Sequence, residues 1–173
     1  MKIDERLGRI SNDLDYAVRN GAFEDVPVKG ERYANWYGQL LSTLSLILGD
    51  TTVLYSQTTY DAAKPDHQAQ IVLYTGSRVI VVDVADALQD DTDVQTRILS
   101  RQSLEALDVS AGMRIDTGGS ASYGWPGLLT VTAHYRGLDG EVSISALGVE
   151  PHKVDEPGPI MRLLEGLQED LAA

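Results

Sequence analysis

The three histidines, His67, His134 and His152, are the first side chains to consider for catalysis or metal binding. No two of them lie at metal-ligand spacing, and the chain contains neither an HExxH nor a GxSxG sequence. The absence of cysteine excludes a thiolate zinc site, an iron–sulfur cluster and a cysteine nucleophile. We therefore predict no catalytic residue, no metal and no cofactor. The alternative is an enzyme whose histidine meets a carboxylate only in the folded chain.

The glycine-rich stretch 118–127 is the strongest candidate for a binding loop. It lacks the Gly-Lys-Ser/Thr ending of a phosphate-binding loop, and it precedes a predicted strand instead of a helix. Loops on a rigid sheet often carry recognition, and Tyr and Trp are favoured at interface hot spots. The sequence therefore predicts Tyr123 and Trp125 as binding residues. The alternative is a hairpin connection whose Trp125 covers the mouth of a barrel.

The net charge of −12 disfavours partners that are themselves strongly anionic, unless the few cations are concentrated on one face. It argues against nucleic acid and against anionic lipid surfaces, because both repel such a chain. The acidic run Asp83–Asp93 is read as a solvated loop. Calcium is the alternative there, although the bending glycine and terminal glutamate of an EF-hand are missing. The loose cluster of Arg97, Arg101 and Arg114 is a candidate anion site.

Several features favour a cytoplasmic protein. Zero cysteines fit a reducing compartment. The apolar stretch Leu44–Leu48, broken by Ser45, is far too short to span a bilayer, and no basic-then-apolar leader opens the chain. We expect no membrane insertion.

Apolar residues at steps of three and four predict an amphipathic helix within residues 1–25. They are Ile3, Leu7, Ile10, Leu14 and Val18. The stripe is too short for a confident coiled coil, but it must be covered. One interpretation is packing against its own domain. The other is a homodimer, in which Ile3, Leu7, Ile10 and Leu14 meet their counterparts in a second copy.

A linker and a second helix are predicted over residues 26–50. The apolar spacing of Tyr33–Leu48 favours a helix that ends at Gly49-Asp50, although the alternation near Leu44–Leu48 is also compatible with a strand. A C-terminal helix is predicted at 159–172, because Pro159 suits a first helical position and an apolar stripe follows it.

The middle of the chain predicts antiparallel strands. In Gln70–Val84, two β-branched runs are joined only by Gly76-Ser77, which predicts a type II′ hairpin with positive φ at Gly76. In Leu128–Arg136, apolar and polar residues alternate, so one face is expected to be buried and the other wet. The predicted strands are Thr52–Tyr60, residues 69–75 and 78–85, Gln95–Leu99, Leu104–Asp116, Leu128–Arg136 and Glu141–Leu147.

About seven strands followed by one helix is the element order of the pleckstrin-homology-like superfold. The segment LYTGSRVIVV, Leu73–Val82, resembles the signature hairpin of GRAM and bacterial PH-like domains. Thr96–Val109 is similar to the segment that follows it in that family. The resemblance covers about residues 50–173. It implies an α+β, mainly β fold over 51–173: a PH-like antiparallel barrel or bent sheet of about seven strands, capped by the C-terminal helix and preceded by an N-terminal helical extension.

The resemblance implies a scaffold and not an activity, because one superfold hosts many functions. Members of similar fold often bind phosphoinositides through a basic loop, but Asp61–Gln70 offers only Lys64 and His67 against Asp61 and Asp66. We therefore expect no inositol-lipid binding. The predicted function is a non-catalytic protein-binding or self-assembly module. The alternatives are a small-molecule or lipid-binding barrel, and an enzyme with a histidine–carboxylate site.

Overall fold

The computed structural model describes residues 34–60, 67–112, 126–150 and 153–173. The predicted helix within residues 1–25 lies outside these ranges. In chain order the elements are α1 (Asn35–Leu48), β1 (Val53–Tyr60), β2 (Ala69–Thr75), β3 (Arg78–Val84), β4 (Val94–Ser100), a 3₁₀ turn (Arg101–Ser103), β5 (Leu104–Ala111), β6 (Leu128–Tyr135), β7 (Val142–Leu147), β8 (Val149–Glu150), β9 (Lys153–Pro157) and α2 (Pro159–Ala172). Within the described ranges, no helix has the length and apolarity that crossing a membrane requires.

The protein is α+β and mainly β, as predicted. The strands form a four-stranded sheet in the order β1-β2-β3-β4, a three-stranded sheet in the order β5-β6-β7, and the short pair β8-β9. All seven predicted strands are present, and β5 is described as far as Ala111. Of the two predicted forms, the closed barrel is wrong, since the described strands form separate ladders. The residues fall into two compact units, one up to Gly76 with Ile80–Ile98, the other Ser77–Val79 with Leu99–Ala173.

Helix α1 covers one face of the central strands in the first unit. The helix, predicted over Tyr33–Leu48, is confirmed, and the strand alternative for its C-terminal part is wrong. Its apolar stripe packs with every second residue of β2 and β3, since alternate strand residues share a face. This core comprises Trp36, Tyr37, Leu40, Leu41, Leu44, Leu48, Ile71, Leu73, Ile80, Val82 and Val84, among others. At the predicted stop, Gly49 adopts a positive φ of 56°.

The hairpin between β2 and β3 is confirmed, but its predicted turn type is wrong. A type II′ turn needs positive φ at its first central residue, and Gly76 is not among the glycines with positive φ. A Cβ at Gly76 would also meet nothing within 4 Å. The two flanking apolar runs, buried on both faces, therefore specify this hairpin without a glycine-specific backbone.

The acidic run begins in β3 with Asp83, so the predicted loop is confirmed only for its remainder, which holds the start of α1. Ala34 provides no side-chain cap, and the Asn35 amide donates instead to Asp90 Oδ1 at 3.0 Å. The Trp36 amide donates to the Asp90 carbonyl at 3.2 Å. Asp86 Oδ1 accepts a hydrogen bond from the Leu88 amide at 3.0 Å, which closes the loop on itself. A carboxylate at a helix N-terminus also interacts favourably with the helix dipole.

In the second unit, α2 contacts β5, the 3₁₀ turn and β7–β9. The predicted alternation along β6 is confirmed, because Leu129, Val131, Ala133 and Tyr135 are all buried. Buried Arg101 fixes the end of the helix, since its Nε donates to Asp170 Oδ2 at 2.6 Å. Gly166 leaves room for this guanidinium, because a Cβ there would lie 2.8 Å from Arg101 Nη2.

The β8–β9 pair was not predicted from the sequence. Its ladder is short and irregular, with Val149 opposite Pro157 and Glu150 opposite Lys153. Two-residue strands show no alternation, and a strand that ends in proline lacks the usual composition. The sequence pattern of the segment before α2 is therefore that of an irregular loop and does not indicate a strand pair.

Candidate functional site

The six residues that the sequence predicts for binding lie outside the described ranges. They are Ile3, Leu7, Ile10, Leu14, Tyr123 and Trp125. Their predicted roles stay predictions. Among the described residues, the three-stranded sheet of the second unit combines a polar face with an open edge strand.

Hydroxyl groups form two cross-strand pairs on the polar face of this sheet. Thr132 Oγ1 lies 3.2 Å from Ser143 Oγ, and Thr130 Oγ1 lies 2.8 Å from Ser145 Oγ. The strand register places these pairs directly opposite each other on β6 and β7. Cross-strand hydroxyl pairs of this kind stabilise a sheet and hold its side chains in place.

His134 meets a carboxylate on the same polar face. Its Nε2 lies 3.0 Å from Asp108 Oδ2 on β5, and the two side chains are 38% and 78% exposed. This is the contact that the enzyme alternative required, but the pair lies on an open strand surface in water. The two hydroxyls nearest in the register, Thr132 and Ser143, are bonded to each other. The geometry fits a cross-strand polar pair.

A second cross-strand pair lies at the start of β5. Arg136 Nε donates to Glu105 Oε1 at 2.8 Å, and both side chains are largely exposed. Glu105 and Asp108 are the two acidic residues of β5, and each thus has a basic partner on the neighbouring chain segment. On the outer strand, Glu105 therefore forms an ion pair with Arg136, and Asp108 is hydrogen-bonded to His134.

The outer edge of β5 is the main feature of this site, and we call it the β5 edge. It consists of Leu107, Val109 and Ala111, which lie opposite Ala133, Val131 and Leu129 of β6. The β6 residues are buried, whereas Val109 is 48% exposed and Ala111 is exposed. Leu107 is half-buried, so the apolar face of the sheet is uncovered at Val109 and Ala111.

The backbone N–H and C=O groups of the β5 edge point away from β6. Gly112 donates to the Leu128 carbonyl at 2.6 Å, so the pair Gly112–Leu128 is a hydrogen-bonded one. Hydrogen-bonded and non-bonded pairs alternate along an antiparallel ladder. Ser110 and Asp108 therefore bond to β6, while the N–H and C=O groups of the β5 edge point outward. In the described sheet, β5 has β6 as its single neighbour.

The outer edge of the four-stranded sheet is built differently. On β4, Arg97 Nη2 binds Asp83 Oδ2 of β3, and Gln70 Nε2 of β2 donates to Asp83 Oδ1 at 2.8 Å. This polar network runs across three strands. Charged side chains on an edge strand discourage further pairing. Ile98 of β4 is nonetheless 49% exposed, almost the same fraction as Val109.

The structure assigns structural contacts to the other candidate ligand residues. Arg97 and Arg101 each bind a carboxylate, and Arg114 lies outside the described ranges. Within those ranges, no group of three potential metal-ligating side chains comes together. His67 stacks on Tyr60 with ring centroids 6.4 Å apart. His152 lies outside the described ranges.

Among the described residues, Tyr55 is a titratable side chain whose pKa is clearly shifted. Burial, and next the nearby Tyr74, raise the pKa of Tyr55 from 10.0 to about 12. The Tyr55 hydroxyl donates to Gln57 Oε1 at 3.0 Å, and its ring meets that of Tyr74 edge-on. At neutral pH the Tyr55 hydroxyl is uncharged, and the side chain is buried, so Tyr55 is a core residue.

Sequence reasoning missed the β5 edge, although a signal for it exists. Leu107, Val109 and Ala111 alternate with Asp108 and Ser110, which is the two-residue period of a strand with one apolar face. That pattern predicts a strand with one buried face. It says nothing about which strands flank it, and this decides whether the apolar face is covered.

Comparison with known proteins identifies no family and gives only weak similarity to a solved structure. No family model matches the chain, and no curated protein matches it. Among solved structures, the chain is similar to the hSac2 domain from human phosphoinositide phosphatase Sac2, with 19% sequence identity and a TM-score of 0.39. That similarity covers 78% of this chain and 80% of the hSac2 chain.

Proposed function

We propose that this chain is a non-catalytic protein-binding module that accepts an extended segment of a partner at the β5 edge. The observation that supports this is the combination of outward N–H and C=O groups with uncovered apolar side chains on one strand. Strand addition to an open sheet edge uses both features: backbone hydrogen bonds give affinity, and alternate side chains give specificity.

The edge defines the chemistry of its occupant. A partner strand that pairs antiparallel with β5 places every second side chain beside Leu107, Val109 and Ala111. Those side chains of the partner must therefore be apolar. The intervening side chains lie beside Asp108 and Ser110. An acidic residue opposite Asp108 is disfavoured, because like charges directly opposite each other are destabilising. The occupant is therefore an extended protein segment with apolar and uncharged or basic residues in alternation.

The proposal includes a PH-like scaffold. A four-stranded antiparallel sheet, then a three-stranded one, then a single amphipathic helix is the element order that the sequence resemblance implied. A superfold does not specify a partner, so the β5 edge carries the functional part of the proposal. The binding roles of Tyr123 and Trp125, and a homodimer through Ile3, Leu7, Ile10 and Leu14, belong to the same class of function and are tested separately.

The test is selection of displayed peptides on the immobilised full chain. A library of short random peptides is panned on the wild type and counter-selected on V109K, since lysine on an edge strand opposes pairing. We expect enriched peptides with alternating apolar residues, whose affinity V109K weakens at least about tenfold. I98K is the matched control, because Ile98 is equally exposed on the edge of the other sheet.

The outcome that contradicts the proposal is equally concrete. Peptides that bind the wild type and V109K with the same affinity would place binding elsewhere on the molecule. Circular dichroism of V109K and I98K checks that both variants keep the fold, which we expect because both parent side chains are about half exposed. An L7D variant, compared with the wild type by light scattering, tests the N-terminal stripe independently.

A further inference from the structure

We infer that the strand which the β5 edge accepts is β5 of a second copy of this chain, paired antiparallel about a two-fold axis at Val109. This inference rests on the proposed function and names its partner. A two-fold interface uses the same patch on both copies, so the patch must be complementary to itself. The β5 edge meets this requirement in its backbone, its side chains and its charges.

The backbone and side chains favour one register. Pairing about Val109 sets Val109 opposite its own counterpart and Leu107 opposite Ala111, so the whole β5 edge bonds to the second copy. These side chains share one face and extend the buried row of Leu129, Val131 and Ala133. Directly opposite residues of an antiparallel pair have their side chains on the same face, which makes this apolar contact continuous across the axis.

Charge and the length of β5 distinguish this register from its two neighbours. About Val109, Asp108 lies opposite Ser110 of the second copy, and no carboxylate faces another. Pairing about Asp108 would set that carboxylate opposite itself, which is destabilising. Pairing about Ser110 would leave Leu107 opposite a residue beyond Ala111, the last residue of the strand. The register at Val109 is the one that uses all three outward residues without a like-charge contact.

Two polar pairs reduce the repulsion between two copies of an acidic chain at this edge. The net charge of −12 repels a second copy over most of the surface. On β5, however, Glu105 forms an ion pair with Arg136, and the Asp108 carboxylate is hydrogen-bonded to His134. The contact joins two three-stranded sheets into one of six strands. Because three residues per copy make the central contact, we expect a concentration-dependent dimer instead of a permanent one.

The chain has no cysteine, so single cysteines can read the register directly. Full-length V109C, D108C and S110C are oxidised separately, and D108C is also mixed with S110C. Directly opposite residues have Cα atoms about 5.5 Å apart in a hydrogen-bonded pair, as Val109 would form, and about 4.5 Å apart in a non-bonded pair, as Asp108 and Ser110 would form, and both distances allow a disulfide. Diagonal neighbours lie about 7–8 Å apart, which is too far. We expect a disulfide dimer of V109C and of the mixture, with little from D108C or S110C alone.

A second measurement avoids covalent trapping. In sedimentation of the wild type, the mass is expected to rise with concentration from 18.8 kDa towards twice that value. V109K should weaken dimerisation at least about tenfold, and I98K should leave it unchanged. A wild-type mass of 18.8 kDa at all concentrations, without disulfide dimers, overturns the inference. So does a disulfide dimer of D108C or S110C in place of V109C.

Failure of the inference is distinguishable from failure of the proposed function. A chain that stays monomeric but binds selected peptides in a V109K-sensitive way pairs with another protein, so the dimer is wrong and the binding edge stands. A chain that neither dimerises nor binds peptides through Val109 contradicts both.

Discussion

The two described α-helices have the same length and different chemistry on their outer faces. Each has 14 residues and buries an apolar stripe. α2 exposes charged and amide side chains, among them Arg162, Glu165, Gln168 and Glu169. α1 has no charged residue at all, and its exposed positions are Gly38, Gln39, Ser42, Thr43 and Leu46. Leu46 is 80% exposed.

The helices are also anchored by different means. α1 is capped from outside by Asp90 of the acidic run, and α2 is fixed near its end by the buried pair of Arg101 and Asp170. From the sequence alone, both the acidic run and the arginine cluster are candidate ligand sites. In the structure, Asp90 and Arg101 position helices and Arg97 joins two strands, so these charges have structural partners.

The largest effect is expected at the anchor of α2. R101M leaves the Asp170 carboxylate without its buried partner, and breaking such a pair costs about 3–5 kcal/mol. We expect a loss of about 3 kcal/mol in the free energy of unfolding, measured by urea denaturation, because Asp170 is partly accessible to water. R136M is the control, since its exposed pair with Glu105 is worth at most about 1 kcal/mol. Equal losses in the two variants would contradict a special role for Arg101.

The unit that contains α1 should lose stability at alkaline pH. The pKa of Tyr55 is raised to about 12 in the folded chain against 10.0 for the ordinary side chain, so the folded state holds the phenolic proton more tightly. The stabilisation is complete below pH 10 and is lost progressively as pH rises from about 10 to about 12, because the unfolded chain ionises first. Thermal unfolding of Y55F should lack this part of the alkaline loss. An identical pH dependence in Y55F and the wild type would assign the loss to other groups.

The cap of α1 gives a smaller effect. D90A removes the acceptor of the Asn35 amide, and loss of an N-terminal cap costs about 1 kcal/mol. D91A is the control within the same run, because Asp91 accepts only a 3.3 Å hydrogen bond from the Asn35 side chain. Urea denaturation should rank D90A below D91A. The reverse order would show that the acidic run does not act through the helix terminus.

Most of the fold could be predicted from local pattern. Two-residue alternation located the seven main strands, and three-to-four-residue spacing located α1 and α2, because core packing imposes those periods on a single segment. The sequence did not determine which strands are neighbours. Whether Val109 is covered depends on contacts far along the chain, and so the separate sheets, the β5 edge and the β8–β9 pair were not foreseen.

Polar residues were harder to interpret than apolar ones. Asp90 caps a helix 55 residues earlier in the chain, and Arg101 binds a carboxylate 69 residues later. A charged residue in a sequence carries no mark of its distant partner, so structural ion pairs and ligand sites look alike. His134 illustrates the same difficulty, since alternation placed it on the wet face while its partner Asp108 became apparent only from the register.

The smallest expected effect tests the uncharged face of α1. Ser42 Oγ donates to the Gly38 carbonyl at 3.0 Å and Thr43 Oγ1 to the Gln39 carbonyl at 2.9 Å, so these hydroxyls are satisfied within the helix. In water, S42K should change the free energy of unfolding by less than about 0.5 kcal/mol, because exposed substitutions are near neutral and lysine is a good helix former. Q168K on the exposed face of α2 is the matched control. If S42K alone costs more than about 1 kcal/mol, another segment covers α1, since burying an unpaired lysine is costly.

The apolar stripe of Ile3, Leu7, Ile10 and Leu14 is then the first segment to test, by combining L7D with S42K. A loss of stability in the double variant that is smaller than the sum of the two single losses would show that the two sites interact.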